Sequence, residues 1–190
     1  MKNSPWLAAL FTFSSIVSAA DPVNNDLPVG SIGRSALERV RPALVRIETT
    51  SAGGGNAHTH SGLRINAEEV ITTSWGLDPD PTAILIEWEG GTRRSATIVG
   101  RDFRRGIALL KLSDASTLDK AQPFPVAVPK QEIRVGQWAW SAGSIWPDAP
   151  SLSMGMVSAT GRVWGEAIQT DAKVSPVNYG GPLIDRQGRV

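Results

Sequence analysis

The chain has no cysteine, only two histidines and a single tyrosine among its 190 residues. The absence of cysteine excludes disulfide bonds, thiolate metal sites, iron–sulfur clusters and a cysteine nucleophile. The two histidines, His58 and His60, leave few options for acid–base or zinc chemistry. We therefore expect this protein to hold neither a metal ion nor a cofactor.

The chain also lacks an excess of charge of either sign. It has 19 Lys and Arg against 18 Asp and Glu, which gives a formal net charge of +1. Proteins that bind nucleic acids usually present a strongly basic surface, so we expect no nucleic-acid partner. No run of like charges suggests an anionic membrane surface either. With 41% hydrophobic and 19% charged residues, the composition is that of one globular domain.

The first twenty residues have the pattern of a secretory signal peptide. A short start carrying Lys2 precedes the mostly apolar run Trp6–Ser18, and Val17–Ala20 supplies small residues for cleavage. A run of about 13 residues is too short to span a bilayer comfortably. We predict a signal peptide at 1–20, an N-terminal extension at 21–34, and export to the periplasm or the extracellular space. No membrane span remains after cleavage; an uncleaved N-terminal anchor is the alternative.

The rest of the chain is patterned as β-rich. Leu37 and Val40 lie three residues apart, which predicts a short helix over Ser35–Val40 that Pro42 ends. The apolar runs that follow are short and bounded by Gly, Pro, Asn or Asp, as in strands of an antiparallel barrel or sandwich. Gly90-Gly91 marks a hairpin. The predicted strands are Ala43–Thr50, Thr59–Ile65, Val70–Thr73, Ala83–Glu89, Ser95–Val99, Ile107–Leu112, Gln137–Ala142, Ser153–Ala159 and Leu183–Asp185.

Several segments, in this order, resemble the trypsin-like serine proteases of the HtrA/Deg type. They are Val70–Trp75, Gly100–Leu112, Val135–Trp138, Met156–Arg162 and Ile168–Leu183. The resemblance covers roughly residues 37 to 190 and implies an all-β fold of two antiparallel six-stranded β-barrels with a cleft between them. It places a protease-homology domain at 35–190. Its second barrel is expected to be incomplete, because the chain stops inside a hairpin and the family continues, often into a PDZ module.

The same resemblance identifies replaced residues at the places of the catalytic triad. The family's histidine falls on Trp75, its aspartate on Gly106 and its nucleophilic serine on Tyr179. The glycine whose amide helps to form the oxyanion hole falls on Val177, so the loop equivalent to that hole is Val177-Asn178-Tyr179. We therefore expect no catalytic residue at any of these positions.

Chemistry supports that expectation. Indole is neither a base nor a proton shuttle near neutral pH, and glycine offers no side chain. A phenol titrates near pH 10 and is a poor nucleophile without a base. Loss of a whole triad lowers turnover by a factor on the order of 10⁶, or about 8 kcal/mol of barrier. Trp75 is expected to fill the volume of the lost imidazole and to close the cleft; an aromatic binding platform is the less favoured alternative.

Polar residues of the chain allow two further interpretations. A triad rebuilt from Ser175, Asp102 and His60 requires all three to be relocated together, so each is more simply a surface or turn residue. His58 and His60 are spaced to place two imidazoles on one strand face as metal ligands. A polar edge strand is the simpler interpretation of that pair.

Two further clusters have structural interpretations. Trp138 and Trp140, spaced by two, are expected in the core on one face of a sheet. Arg101, Arg104 and Arg105 form a small basic cluster, which we interpret as a solvated turn.

Three functional hypotheses remain open. The first is a non-catalytic homologue of an exported serine endopeptidase that binds extended or unfolded peptide segments by β-addition, or that forms homo- or hetero-oligomers with related proteases. The second is an active serine endopeptidase whose catalytic set is unrecognised. The third is a decayed sequence without a selected function. The first is favoured, because the fold pattern is retained while the triad is not.

Overall fold

The computed structural model describes residues 28–51, 58–75, 77–114 and 124–190. The predicted signal peptide at 1–20 lies outside these residues. Within the described ranges, no helix is both long and apolar enough to cross a membrane.

The described chain consists of one helix and ten strands. The helix α1 spans Pro28–Val40 and runs into a 3-10 turn at Arg41–Ala43. The strands are β1 Leu44–Ser51, β2 His58–Arg64, β3 Glu69–Thr73, β4 Pro81–Trp88, β5 Thr92–Asp102, β6 Ile107–Leu112, β7 Trp138–Gly143, β8 Ser151–Gly161, β9 Ala167–Thr170 and β10 Leu183–Ile184. Three more 3-10 turns lie at Glu89–Gly91, Lys130–Glu132 and Pro176–Asn178.

Strands β1 to β6 close into an antiparallel barrel in the order β1-β2-β3-β6-β5-β4. Alternate residues of the strands point inward, and this periodicity is why short alternating runs predicted the strands correctly. Gly62 lies on an inner face, where an added Cβ would be 2.6 Å from the Ile47 side chain. The buried apolar core of this barrel consists of Val45, Ile47, Val70, Ile84, Ile86, Trp88, Ala96, Leu110 and Leu112.

A second sheet has the strand order β10-β7-β8-β9 and does not close among the described residues. The all-β prediction of a six-stranded antiparallel barrel beside an incomplete second one is therefore confirmed. Strand β9 was not predicted, because its four residues are bounded by no glycine or proline. The Gly90-Gly91 hairpin was predicted correctly, and both glycines have positive φ, of 81° and 73°.

Helix α1 begins seven residues before the predicted Ser35. Pro28, Gly30 and Gly33 lower the helix propensity of this stretch, so propensity alone did not reveal it. Packing compensates, because the absence of a side chain at Gly33 lets the indole of Trp140 approach: an added Cβ would lie 2.6 Å from its Nε1. The buried face of α1, which includes Ala36, therefore covers the second sheet.

The pairing of Trp138 with Trp140 in one core was predicted wrongly. Trp140 is buried against α1, whereas Trp138 is 45% exposed. Both side chains are on the same face of β7, but α1 covers only the part of that face at Trp140. Trp138 instead lies opposite Met156 on β8, which is itself exposed.

The two sheets meet through close backbone contacts at Gly143, Gly180 and Gly181. Gly180 has a φ of 83°, and a Cβ there would lie 2.3 Å from the carbonyl oxygen of Ser61 on β2. A Cβ at Gly181 would lie 2.1 Å from the carbonyl oxygen of Ala142 on β7. The segment after Tyr179 is thus wedged between the barrel and the second sheet, and only glycine fits there.

A Gly180→Ala substitution is expected to lower the free energy of unfolding by about 2–4 kcal/mol, through backbone strain and overlap with the barrel. Gly90→Ala is the matched control, since Gly90 has nearly the same φ of 81° but open space around it. The control should lose only about 1–2 kcal/mol, the cost of the left-handed conformation. Urea unfolding measures both free energies. Equal decreases in the two variants would show that the close contact at Gly180 does not contribute to stability.

Candidate functional site

A cleft of ≈ 540 Å³ lies where the two sheets meet. Trp75 and Thr73 line it from the barrel side, and Tyr179 lines it together with the end of the second sheet. The lining residues are Thr73, Trp75, Ser141, Ile168, Thr170, Val174, Asn178, Tyr179, Gly180, Gly181, Pro182 and Leu183. None of them is Asp, Glu, Lys, Arg or His, so the cleft suits an uncharged group.

Trp75 packs directly over Gly106. Gly106 ends the β5–β6 turn (103–106) with a φ of 70°, and its carbonyl oxygen accepts a hydrogen bond of 2.8 Å from the Ser74 amide. A Cβ at position 106 would lie 2.3 Å from the Trp75 Nε1. The indole therefore occupies the space that any side chain at 106 would need, while its outer face remains exposed (74%).

Tyr179 directly follows the 3-10 turn Pro176–Asn178, and the Tyr179 amide takes part in the hydrogen bonds of that turn. The Tyr179 N–H donates to the Pro176 carbonyl over 3.2 Å, and the Asn178 N–H donates to the Ser175 carbonyl over 2.8 Å. The Tyr179 side chain is 49% exposed in the cleft. In the loop Val177-Asn178-Tyr179, at least these two amides are therefore engaged by the turn itself.

The buried side chain of Asn178 anchors this turn. Its Nδ2 donates to the Ser151 hydroxyl over 3.2 Å and faces the Ser141 carbonyl at 3.4 Å. Its Oδ1 accepts a hydrogen bond of 2.8 Å from the Ser175 hydroxyl. Ser175 is thus hydrogen-bonded to an amide that fixes the turn. Sequence reasoning named Asn178 as part of the loop but missed this anchoring role, which depends on strands β7 and β8.

Both histidines lie on β2 and neither lines the cleft. Their rings stack with centroids 6.5 Å apart, and His60 is buried whereas His58 is exposed. The prediction of an edge strand for this pair was wrong, because β2 lies between β1 and β3 in the closed barrel. Over the described ranges, no group of three or more His, Cys, Asp or Glu side chains is placed to hold a metal ion.

Asp102 is paired with an arginine of its own turn. Its carboxylate contacts Arg105 Nη1 at 2.6 Å and accepts a hydrogen bond of 3.0 Å from the Arg105 amide. These hydrogen bonds hold the pKa of Asp102 below its ordinary value. Asp102 is thus engaged in the β5–β6 turn and Ser175 in the turn before Tyr179.

Arg104 and Arg105 lie in an exposed turn, as predicted, but the arginines of this cluster also have specific partners. Arg105 Nε contacts Glu166 of the second sheet at 2.5 Å, and the Arg104 guanidinium lies 4.6 Å from the centre of the Trp164 ring. Arg101 donates to the carbonyl oxygens of residues 77 and 78 in the loop that follows Trp75. Each arginine therefore has a specific partner, and the sequence could not reveal them because Trp164 and Glu166 lie about sixty residues further on.

Comparisons with known proteins agree with this architecture. Residues 60–190 match the family described as trypsin-like peptidase domain. A probable periplasmic serine endoprotease DegP-like protein of Ectopseudomonas mendocina is 31% identical over 165 residues, which cover 83% of this chain and 33% of that protein. A protein of the same description from Bartonella henselae is 30% identical over 135 residues, covering 68% of this chain and 26% of its own length.

Solved structures give the same result. The HtrA-type protease AlgW, in a structure with a tripeptide, superposes with a TM-score of 0.70 at 26% identity, covering 83% of this chain and 52% of that one. A serine endoprotease from Yersinia pestis superposes with a TM-score of 0.69 at 25% identity, covering 83% and 54% of the two chains. The chain spans between a quarter and a third of the length of these curated relatives and about half of these solved chains. It belongs to the trypsin-like peptidase family, among the homologues of the HtrA/DegP type.

Proposed function

We propose that this protein is an exported, non-catalytic homologue of the HtrA/DegP-type serine endoproteases and that its cleft binds extended or unfolded peptide segments. In this proposal Trp75, Gly106 and Tyr179 stand at the positions of the triad histidine, aspartate and serine. The periplasmic names of the relatives support export to the periplasm. Association with copies of itself or with related proteases belongs to the same proposal.

The observation that carries the proposal is the content of the cleft. The indole of Trp75, packed on Gly106, and the side chain of Tyr179 both line the cleft, whereas both histidines of the chain lie on β2 and are not among the lining residues. Hydrolysis by a serine-type mechanism requires a base that takes the proton of the nucleophile and a carboxylate that orients the base. The side chains that line the cleft supply neither group.

The turn before Tyr179 supports the same conclusion. An oxyanion hole needs amide N–H groups that are free to stabilise a developing negative charge. Here the Tyr179 N–H donates to the Pro176 carbonyl. Val177 is β-branched, and such a residue resists the positive φ that glycine supplies at low cost.

The cleft retains features of a peptide-binding surface. Its lining combines two exposed aromatic side chains with Ile168 and Val174 and carries no formally charged residue. Aromatic rings bury a large area at low conformational cost and serve as anchors in recognition sites. Apolar side chains of an unfolded segment therefore suit this cleft better than charged ones do.

The purified protein is expected to cleave an unfolded fluorescent protein substrate no faster than the serine-to-alanine variant of an active HtrA-type relative. The physical reason is the absence of a base beside Tyr179. Release of fluorescent fragments over many hours measures the rate, with the active relative as the positive control. Cleavage that disappears on substitution of Tyr179, Ser175, His60 or Asp102 would contradict the proposal and favour an active endopeptidase with another catalytic set.

Peptide binding is expected to depend on the two aromatic residues of the cleft. Trp75→Ala and Tyr179→Ala should each weaken the binding of fluorescently labelled, unfolded apolar peptides about tenfold, the usual scale for loss of one aromatic anchor. Trp146→Ala is the matched control, because Trp146 is similarly exposed (66%) but does not line the cleft. Fluorescence anisotropy measures the affinities; equal effects of all three substitutions would contradict binding in the cleft.

A further inference from the structure

The turn between β8 and β9 has an unfavourable backbone. Its residues Arg162–Glu166 follow Gly161, and φ is 41° at Val163, 57° at Trp164 and 82° at Gly165. A positive φ is costly for any residue with a Cβ, and most costly for a β-branched one such as Val163. Such a conformation persists only where surrounding contacts hold it.

Three cationic side chains from outside the second sheet provide these contacts. The Arg104 guanidinium lies 4.6 Å from the centre of the Trp164 ring, a cation–π distance. Arg105 Nε contacts Glu166 Oε2 at 2.5 Å, and Lys130 Nζ donates to the Gly165 carbonyl over 2.5 Å. The two arginines belong to the β5–β6 turn of the barrel, so the strained turn is attached to the barrel itself.

The residues of these contacts adjoin, in sequence, residues of both walls of the cleft. Arg105 is followed directly by Gly106, on which the indole of Trp75 packs. Glu166 is followed by β9, whose Ile168 and Thr170 line the cleft on the other side. A contact between Arg105 and Glu166 therefore fixes the distance between one wall and the other.

We propose that Arg104, Arg105, Trp164 and Glu166 form a clasp that holds the cleft narrow, and that opening of this clasp lets the walls separate to admit a peptide. The expected change in cleft width depends only on whether the clasp is closed or open, and not on peptide binding. Its use for admitting a peptide rests on the proposed function above.

The balance of forces makes the clasp reversible. The side chains of Arg105 and Glu166 are 46% and 48% exposed, and exposed ion pairs contribute little and are screened by salt. Trp164 is 65% exposed, so its contact with Arg104 is also open to solvent. The backbone strain at Val163 and Trp164 favours opening of the clasp, whereas these weak attractions favour its closed form. The Arg105 guanidinium holds the pKa of Glu166 below its ordinary value, so the clasp stays charged at neutral pH.

The width of the cleft can be measured cleanly, because the chain has no cysteine of its own. Cysteines introduced at Thr97 on β5 and Ser158 on β8, both exposed, would carry spin labels on the barrel and on the second sheet. Pulsed electron–electron double resonance spectroscopy then gives the distance distribution between the two labels in the protein without peptide. We expect a narrow distribution at low salt that shifts and broadens at 1 M salt.

Substitutions give the decisive comparison. Arg105→Glu and Glu166→Arg should each broaden the distribution, and the charge-swapped double variant should restore it in part, because a carboxylate at position 105 repels Asp102. Arg93→Glu is the control, because it removes the ion pair that the exposed Arg93 forms with Glu87 at 2.9 Å on the barrel, and neither residue lines the cleft. Val163→Gly relieves the strain and should narrow the distribution further. Unchanged distances in Arg105→Glu and at 1 M salt would overturn the clasp.

Affinity for labelled peptides separates this proposal from the proposed function. Arg105→Glu should bind peptide about five- to tenfold more tightly than the unsubstituted protein, and Val163→Gly more weakly. Peptide binding that is equal in all variants, with unchanged distances, would overturn the clasp and leave peptide binding intact. Distances that respond as expected in a protein that binds no peptide would support the clasp and contradict the proposed function.

Discussion

Ser61 of the barrel binds the segment that carries Tyr179, and the position of one wall of the cleft depends on these hydrogen bonds. Its amide donates to the Tyr179 carbonyl over 2.9 Å, and its carbonyl accepts a hydrogen bond of 2.7 Å from the Thr72 hydroxyl. Its own hydroxyl donates to the Val177 carbonyl and accepts from the Ser144 amide. A buried serine with all its polar groups used fixes the Tyr179 turn on the barrel, because each broken bond would leave a buried polar atom unpaired.

Within walls fixed in this way, the side chains at three positions decide what chemistry the cleft can perform. Trp75 and Gly106 form a complementary pair, because the indole fills the space that a side chain at 106 would need. A carboxylate introduced at 106 would therefore overlap the indole, and an imidazole introduced at 75 would find no carboxylate to orient it. The side chains at positions 75 and 106 are therefore coupled, because a larger residue at 106 requires a smaller one at 75.

The sequence predicted the barrel well because each strand is a short alternating run between turn residues, a local pattern. It predicted poorly wherever a distant contact decides the outcome. The first turns of α1 form despite Gly30 and Gly33 because they pack on Trp140, more than a hundred residues away. Of the candidate site, motif order named Trp75, Gly106 and Tyr179, but their contacts, such as the indole over the glycine, required the three-dimensional arrangement. The partners of Arg104 and Arg105 depend equally on the fold.

The placement of the contacts between the sheets also determines how the cleft can open. The junction at Ser61, Gly180 and Gly181 is close-packed and hydrogen-bonded, so separation there would expose unpaired backbone groups. The ion pair between Arg105 and Glu166 in the clasp is exposed, so water hydrates both charges when the pair separates and the cost of separation is small. In the proposed opening of the clasp, the β5–β6 turn therefore moves away from the β8–β9 turn while the Ser61 junction stays closed. Such a motion widens the cleft between Trp75 and Ile168 while the turn that carries Tyr179 keeps its place on the barrel.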